Sequence, residues 1–503
     1  MFKALFGDFT RISSHRGWPR VEVDSGTWQA IGQALREGKL DLLGEWGDVD
    51  AVHCALLETA TGQVCIASIA AHDGHVPSLG VYHAPAIRPE RAIRDLFGFE
   101  VVGLPDHRPW LDHGRWAVRA PLSSHARSSE TQQPYRFLES DGPSLHQIPV
   151  GPVHAGIIEP GHFRFTASGE TIVRLEERLG YTHKGVETLL KGRPVAEGAP
   201  IAARVSGDST VAYSLVFARA VETALEVAPP RRAIWLRAIM AELERVANHL
   251  GDIGAICNDA AFSMMHAECG ILREETLRAC ATAFGHRLMM DRVIPGGTAV
   301  DLTANGQDAI LSLTRHLSRQ FPELIELYEN TASLQDRTVG TGTINTALAA
   351  EFAAGGFVGR ASGRAFDART TLPYEPYDAL PIKAPILSEG DVDARIWIRI
   401  REVQASIEWL EAALGSLPAG SVLPPVIAAP AVSVEATAIV EGFRGDLLAY
   451  LRVGQDLCIE RCHFRDPSWF QWPLLEVAVY GNIVADFPLC NKSFNCSYSG
   501  HDS

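Results

Sequence analysis

Residues 204–210 read Arg-Val-Ser-Gly-Asp-Ser-Thr, and a run with helical character follows from residue 212 to residue 222. A second polar stretch lies near the other end of the chain, where residues 485–489 (Ala-Asp-Phe-Pro-Leu) lead into residues 497–500 (Ser-Tyr-Ser-Gly). A serine hydroxyl is a neutral, hard donor that does not ionise near pH 7, whereas soft late first-row metals favour thiolates. The two stretches therefore offer no thiolate to a metal.

The composition is that of a globular protein. The 503 residues are 46% hydrophobic and 21% charged, enough for about two to four domains with a large core. A formal net charge of -15 and a pI near 5.6 argue against nucleic acid as a partner. No apolar run is long enough to span a membrane, and the first residues lack an apolar segment of secretory length. The sequence therefore predicts a cytoplasmic location.

The nine cysteines are an odd number, scattered without a C-x-x-C pair. This usage is typical of a reducing compartment. Cys458 and Cys462, like Cys490 and Cys496, lack the common spacing of zinc or iron-sulfur sites. We therefore interpret the cysteines as buried small hydrophobes or incidental thiols rather than as ligands.

The first part of the chain, residues 1–120, predicts a small α/β or α+β domain. It mixes strand-like runs at residues 51–57 and 63–69 with a helical stretch at residues 27–37. Residues 121–147 are rich in serine and glutamine with little apolar periodicity, which predicts a linker.

Residues 89–98 (Pro-Glu-Arg-Ala-Ile-Arg-Asp-Leu-Phe-Gly) and 103–111 (Gly-Leu-Pro-Asp-His-Arg-Pro-Trp-Leu) carry the most specific pattern of this part. The pattern resembles the E-R-x-x-x-D-x-F-G…G-x-x-D-x-R signature of the thirty-kilodalton subunit of respiratory complex I. From its residues alone, the charged set in 89–98 could equally form a solvated helix face with local ion pairs. The resemblance instead favours an assembly surface. The charged residues concerned are Glu90, Arg91, Arg94 and Asp95.

From residue 148 to residue 503 the chain resembles the forty-nine-kilodalton subunit of complex I and the large subunits of group 4 membrane-bound nickel-iron hydrogenases. The fusion of two such domains, first the thirty-kilodalton type and then the forty-nine-kilodalton type, is similar to the large subunit of formate hydrogenlyase. The resemblance implies an α+β fold, with a small α/β N-terminal domain and a mainly α domain that has a core helix bundle and small β elements.

The clearest helix runs from Arg231 to Leu250, and two further helices are expected at residues 271–291 and 396–414. Apolar residues recur at three and four positions along the first, which predicts one core face and one solvated face. The same run resembles the W-x-R…E-x-x-R-x-x-N-H helix of the forty-nine-kilodalton family, which implies a place in a four-helix bundle. The residues off the apolar stripe are Arg237, Glu242, Arg245, Asn248 and His249.

The resemblance also assigns the two polar stretches. Hydrogenases of this group carry R-x-C-G-x-C at the first and D-P-C-x-x-C at the second, and the four cysteines hold the nickel-iron centre. Here the four ligand positions fall on Ser206, Ser209, Ser497 and Gly500. The complex I tyrosine that grips the quinone headgroup falls at Gly207, which weakens the quinone interpretation as well. Arg204 is kept, and the resemblance places it near the iron-sulfur cluster of a neighbouring small subunit.

Three residues are candidates for proton transfer. His154 matches the second histidine of a complex I loop that reaches into the quinone chamber, although a simple turn histidine is the alternative. Glu187 lies in a G-x-x-H-R-G-x-E-K-L-like element, where burial would raise the pKa of a glutamate; a surface glutamate is the alternative. Asp208 is the only carboxylate of a predicted metal-free chamber, which could also be a dead cavity plugged by hydrogen bonds. We define this chamber cluster as Ser206, Asp208, Ser209, Tyr213, Ser497, Tyr498 and Ser499.

These departures make the chain most similar to energy-converting-hydrogenase-related subunits that lack the metal ligands. The resemblance implies a peripheral subunit on the cytoplasmic face of the inner (plasma) membrane, in a complex that couples electron transfer to ion translocation. A low-potential donor such as NADH and a quinone acceptor are the expected classes, with NAD(H) bound only in the wider complex. The expected partners are a small iron-sulfur subunit of the complex I twenty-kilodalton type, which holds a 4Fe-4S cluster, and membrane subunits of the proton-channel type.

No cofactor is expected in this chain itself. One alternative is a redox-silent subunit that holds such a complex together. A less favoured alternative is an active nickel-iron hydrogenase that uses Cys490 and Cys496 as unconventional ligands.

Overall fold

The computed structural model describes residues 1–7, 10–124 and 135–503, and only the backbone of residues 127 and 128. Its N-terminal part contains a four-stranded sheet in the order β2-β5-β4-β3, in which β3, β4 and β5 are antiparallel neighbours and β2 is parallel to β5. The helices α2 and α3 pack against β3. The elements are α1 (Phe2–Phe6), β1 (His15–Arg16), β2 (Arg20–Glu22), α2 (Ser25–Arg36), β3 (Leu40–Gly47), β4 (Ala51–Glu58), β5 (Val64–Ala70), β6 (His75–Pro77), α3 (Ile87–Phe97), β7 (Glu100–Val102), β8 (Val118–Arg119) and β9 (Arg127–Ser128).

The charged residues of α3 do not form a solvated face. Glu90 accepts a hydrogen bond from the Ser78 hydroxyl at 2.6 Å, and Arg91 pairs with Asp106 at 3.0 Å. Asp95 accepts the backbone amides of residues 110, 111 and 112 at 2.7, 2.7 and 3.1 Å. Glu90 and Arg91 are buried within the chain. The signature over residues 89–111 therefore holds neighbouring loops in place instead of presenting Glu90 and Arg91 as an assembly surface.

The next segment leads from a three-stranded antiparallel sheet, in the order β10-β11-β12, into the first long helices. Its elements are β10 (Leu145–Val150), β11 (His162–Ser168), β12 (Thr171–Arg178), α4 (Val186–Leu190), α5 (Val195–Ala202), α6 (Thr210–Leu225), α7 (Arg231–Asp259), α8 (Ser263–Phe284), β13 (Val293–Ile294), β14 (Gly297–Thr298) and α9 (Ala304–Asn330).

The remaining segment adds a long helix, several short helices and a sheet. The strand order β1-β15-β16-β17 makes the N-terminal β1 a parallel neighbour of β15, so residues 15–16 share one sheet with strands of residues 434–465. The elements are α10 (Ala332–Thr338), α11 (Thr346–Glu351), α12 (Gly356–Ala361), α13 (Ala368–Thr371), α14 (Val392–Gly415), β15 (Val434–Gly442), β16 (Gly445–Val453), β17 (Ile459–Arg465), α15 (Ser468–Ala478), α16 (Phe487–Phe494) and α17 (Tyr498–His501).

The core of the mainly helical part is a bundle in which α7 contacts α8 and α14, and α9 contacts α8 and α14. The predicted apolar stripe of α7 is buried in it. The helix continues to Asp259, beyond the predicted end at Leu250. The glycines that follow Leu250 allow close packing against α8 and do not end the helix. A Cβ on Gly254 would lie 2.9 Å from the Cβ of Cys269 on α8. The α+β fold with a core helix bundle is therefore confirmed, with α7 longer than predicted.

The helix α8 also differs from its predicted span of residues 271–291. It begins at Ser263 and ends at Phe284, where Gly285 adopts a left-handed conformation with φ of 75°. A glycine at this position caps a helix without a Cβ penalty. Ten residues therefore separate the end of α8 from the Pro295-Gly296-Gly297 sequence that follows the predicted span.

The predicted solvated face of α7 is wrong. Arg237, Glu242, Arg245 and His249 are between 0% and 2% exposed. Glu242 and Arg245 belong to a buried set of three arginines, four carboxylates and a histidine, contributed by α7, α12, α13, α14 and β15. We call this set the core charge network: Glu242, Arg245, His249, Arg360, Asp367, Arg369, Glu402 and Glu441. The family resemblance, and not the hydrophobic period, predicted the environment of these residues.

In the part of the chain that the structure describes, no helix combines the length and the apolarity needed to cross a membrane.

Candidate functional site

The loop before α6 and the loop before α17 meet in the interior. The hydroxyl oxygens of Ser206 and Ser497 lie 3.0 Å apart, although 291 residues separate them in sequence. Both side chains are buried. The Ser497 hydroxyl also accepts the Gly500 amide at 2.9 Å as the cap of α17. The first and second polar stretches of the sequence therefore form one site.

An ion pair between Asp208 and Arg444 occupies the centre of this site. The guanidinium donates to the two carboxylate oxygens at 2.6 and 2.8 Å and to the Ser209 hydroxyl at 3.2 Å. The Ser206 hydroxyl donates to Asp208 at 2.8 Å. Burial alone would raise the pKa of Asp208, but Arg444 and the two serines lower it to about 2. At neutral pH the carboxylate is ionised and paired with Arg444.

Asp208 is not the only carboxylate at the site. Asp466 accepts a 2.7 Å hydrogen bond from the Tyr213 hydroxyl and a 2.9 Å hydrogen bond from the Ser468 amide. A Cβ on Gly500 would overlap Asp466 and would lie 2.8 Å from the Tyr213 oxygen. The space that a side chain at position 500 would need is therefore filled by the Tyr213–Asp466 pair.

His154 lies on the loop between β10 and β11 and reaches the same site. Its Nε2 is 3.2 Å from the Tyr498 hydroxyl, next to Ser497. Partial burial lowers the pKa of His154. His154 therefore contacts the chamber cluster through Tyr498, and its role in proton transfer stays a prediction.

Glu187 lies apart from the chamber cluster, with partners on β17. It accepts a hydrogen bond from Arg461 at 2.8 Å and one from His463 at 2.5 Å. Burial would raise the pKa of Glu187, but Arg461 and His463 lower it below the ordinary value. The side chain is 6% exposed, so the surface alternative is excluded. The predicted rise in the pKa of Glu187 is wrong, because the buried carboxylate is hydrogen-bonded to Arg461 and His463.

Arg204 lies at the rim of the site, half exposed. Its guanidinium donates to the carboxylate of Asp291 at 2.7 and 2.8 Å and to the Pro200 carbonyl at 2.6 Å. Behind it, the Lys184 ammonium donates to the carbonyls of residues 204 and 205 at 3.0 and 2.7 Å. Arg204 is thus held at the surface of the chain.

The donor set at the four ligand positions is three hydroxyls and a glycine, with a guanidinium beside them. Among the described residues, no group of three or more histidine, cysteine or acidic side chains is arranged to hold a metal ion. Cys490 and Cys496 are buried, and burial raises the pKa of Cys490 to about 12 and that of Cys496 well above its ordinary value. Raised pKa values of this kind are typical of buried, unreactive thiols. The site does not fit a nickel-iron centre.

The sequence predicted the chamber cluster, His154 and Arg204 as site residues. In the structure His154 contacts the chamber cluster, and Arg204 lies at the rim of the site. Arg444 and Asp466 were not anticipated. Arg444 is 236 residues from Asp208, and no spacing rule connects them. Asp466 stands in an Arg465-Asp466-Pro467 sequence to which the sequence analysis assigned no role.

Comparisons with known proteins agree with this architecture. Residues 21–132 match the family described as respiratory-chain NADH dehydrogenase, 30 Kd subunit, and residues 259–430 match the 49 Kd subunit family. Formate hydrogenlyase subunit 5 of Escherichia coli (strain K12) is 30% identical over 439 residues, which cover 85% of this chain and 76% of that protein. Hydrogenase-4 component G of the same organism is 29% identical over 435 residues, covering 85% and 75%.

A solved structure of the membrane-bound sulfane sulfur reductase, an archaeal respiratory membrane complex, contains a chain of similar fold. The TM-score is 0.67 at 24% identity, over 72% of this chain and 99% of that chain. At this identity the likeness shows the fold alone.

The fold and the converging polar stretches define a subunit of the oxidoreductase complexes related to respiratory complex I and the membrane-bound hydrogenases. Within that class, the chain belongs to the family of formate hydrogenlyase subunit 5, and it joins segments of both NADH dehydrogenase subunit families in one chain.

Proposed function

We propose that this chain is a peripheral subunit of a membrane-bound complex I-like oxidoreductase that has lost the nickel-iron centre. The observation that carries the proposal is the meeting of the four ligand positions around the Arg444–Asp208 ion pair. A hydrogenase centre needs thiolates at these positions. Here hydroxyls, a glycine and a cationic side chain stand there instead, while the surrounding fold is kept.

In the proposed complex, electrons pass from NADH or another low-potential donor to a quinone, and this transfer is coupled to ion translocation. NAD(H) is bound elsewhere in the complex. Arg204 faces a small iron-sulfur subunit of the complex I twenty-kilodalton type, whose 4Fe-4S cluster its guanidinium would stabilise in the reduced state. Membrane subunits of the proton-channel type complete the assembly at the cytoplasmic face. The chain is divided into a thirty-kilodalton-like domain (residues 1–120), a linker (121–147) and a forty-nine-kilodalton-like domain (148–503).

His154 and Glu187 are the proposed proton-transfer residues. Histidine titrates near neutral pH, and His154 connects an exposed loop to the chamber through Tyr498. The loop presents Val153 and Ile157, 81% and 97% exposed, which suits contact with an apolar neighbour. Glu187 exchanges protons through His463, its hydrogen-bonded partner. Asp208 takes part through its ion pair, in which Arg444 must move before the carboxylate accepts a proton.

A redox-silent assembly subunit is the second candidate function, and one observation favours it. The Arg444 side chain donates to Asp208, Ser209 and the Asn495 carbonyl, so the chamber is filled by satisfied hydrogen bonds. A filled and satisfied polar network stabilises a fold without any turnover.

Single alanine substitutions of His154, Glu187 and Asp208 in the assembled complex separate the two functions. A proton-transfer group contributes about 10²–10⁴-fold to a rate, so each variant should lose turnover or ion pumping by about 10²-fold or more while the subunits still co-purify. Glu197→Ala, at a glutamate whose side chain is 58% exposed, is the matched control and should leave turnover unchanged. Unchanged turnover in all three variants would favour the assembly function. A chain that purifies from native membranes as a lone monomer would contradict both.

A further inference from the structure

A cavity lies between the N-terminal sheet and β17, away from the chamber cluster. Its walls combine apolar side chains of α3, such as Ile93 and Phe97, with residues of β3, β17 and α15. The cavity volume is about 30 Å³, which is room for about two water molecules.

Four buried polar atoms without a hydrogen-bond partner belong to residues that line this one cavity. They are Glu45 Oε2, Trp46 Nε1, His463 Nε2 and Trp469 Nε1. Unsatisfied buried polar atoms are rare in folded proteins, and a water molecule typically serves about three of them. The residues that carry these four atoms share a space of water size, which suits bound water.

The two titratable members of this set have complementary protonation states. Glu45 is 4% exposed; burial and the nearby carboxyl of Glu90 raise its pKa well above the ordinary value, so it is protonated at neutral pH. His463 uses Nδ1 to contact the Glu187 carboxylate, which leaves Nε2 as the acceptor nitrogen. Burial lowers the pKa of His463, so the ring is neutral. A proton donor and a proton acceptor thus line the same cavity.

Other charged or titratable side chains lie close to Glu45 and His463. Glu90 on α3 and Cys54 on β4 lie near Glu45, and Arg461 shares Glu187 with His463. Trp46 stacks on the His463 ring, with centroids 5.6 Å apart and an angle of 15° between the planes. The stacking fixes the imidazole, and the Glu187 carboxylate stabilises it when Nε2 gains a proton. Arg465 and Ser503 complete the polar lining.

We propose that this cavity is a water site through which the Glu45 carboxyl and His463 Nε2 exchange a proton. In the forward step the Glu45 O–H bond breaks and a His463 N–H bond forms, with water carrying the proton between them. The products are a Glu45 carboxylate and an imidazolium paired with Glu187. The N-terminal part of the chain thereby supplies a proton-transfer residue to Glu187, so the inference rests on the proposed proton role of Glu187.

Infrared difference spectroscopy of the full chain tests the protonation of Glu45 without any turnover. We expect a protonated-carboxyl C=O band at pH 7 that is missing in Glu45→Gln and that shifts within minutes in D₂O. Glu22→Gln, at an exposed carboxylate on β2, is the control and should keep the band. A band of unchanged intensity in Glu45→Gln would overturn the proposal. A band that is lost in the variant but does not exchange in D₂O would overturn it as well, because the cavity would then be dry.

Turnover of the assembled complex tests the transfer itself. Glu45→Gln, which removes the donor, and His463→Gln, which removes the acceptor, should each lower turnover about 10-fold or more. If Glu187→Ala leaves turnover unchanged, the proposed function of Glu187 fails. If Glu187→Ala lowers turnover while Glu45→Gln and His463→Gln match the unmodified complex, only the water-site proposal fails.

Discussion

Replacing Arg360 by methionine is expected to lower the free energy of unfolding by about 3–5 kcal/mol, because it leaves buried carboxylates without their counter-ion. The arginine is 0% exposed. It contacts Glu402 and lies 3.1 Å from Asp367 and 3.0 Å from Glu441. Methionine keeps much of the volume and removes the charge. The expected loss is among the largest that one substitution can cause in this chain.

Urea unfolding of the purified full-length chain measures this change. Arg278→Met is the matched control, because the Arg278 side chain is 78% exposed and its ion pair, with Glu274, is on the surface one turn away. Its expected effect is within about 0.5 kcal/mol. Equal unfolding midpoints for the two variants would mean that the core charge network does not depend on Arg360.

Replacing Gly500 by alanine is expected to cost about 1–3 kcal/mol, as overpacking of a buried site does. The added methyl group would overlap Asp466 and approach the Tyr213 oxygen to 2.8 Å. Both groups are held by their mutual hydrogen bond of 2.7 Å and cannot yield without breaking it. A cysteine at position 500 would need the same space, so restoring all four cysteines should also fail to create a nickel site unless Asp466 is shortened.

Thermal unfolding of the full chain measures this cost, with Gly270→Ala as the control. Gly270 lies in α8 with open space where its Cβ would be. Alanine in a helix interior is favoured over glycine by about 0.5–1 kcal/mol, so this control should be neutral or stabilising. A Gly500→Ala protein as stable as the unmodified chain would show that the site has room for a side chain.

The sequence predicted the fold class through short motifs in a fixed order, and it predicted the meeting of Ser206 and Ser497 through the two ends of a family pattern. It failed where partners come from distant elements. The period of α7 made Glu242 and Arg245 look solvated, because Arg369, which neutralises Glu242, and Glu402, which lies beside Arg245, are more than a hundred residues away. The helical period of apolar side chains does not show which charged side chains are buried in ion pairs.

Glu187 shows the same limit in its electrostatics. Burial could be expected from the family element, and burial alone raises the pKa of a carboxyl. The direction of the pKa shift is set instead by Arg461 and His463. These residues lie nearly three hundred residues downstream, and no sequence pattern connects them to Glu187. Glu45 was not anticipated at all, because a single glutamate within an apolar strand carries no motif.

Metal analysis of the complex purified from its native membrane, with this subunit separated from its partners, tests most directly whether the nickel-iron centre has been lost. Iron in the complex without nickel, and neither metal in the separated subunit, is the expected result, since hydroxyls and an Arg444–Asp208 pair stand where thiolates would be needed. Stoichiometric nickel in this chain would contradict the interpretation of Ser206, Ser209, Ser497 and Gly500.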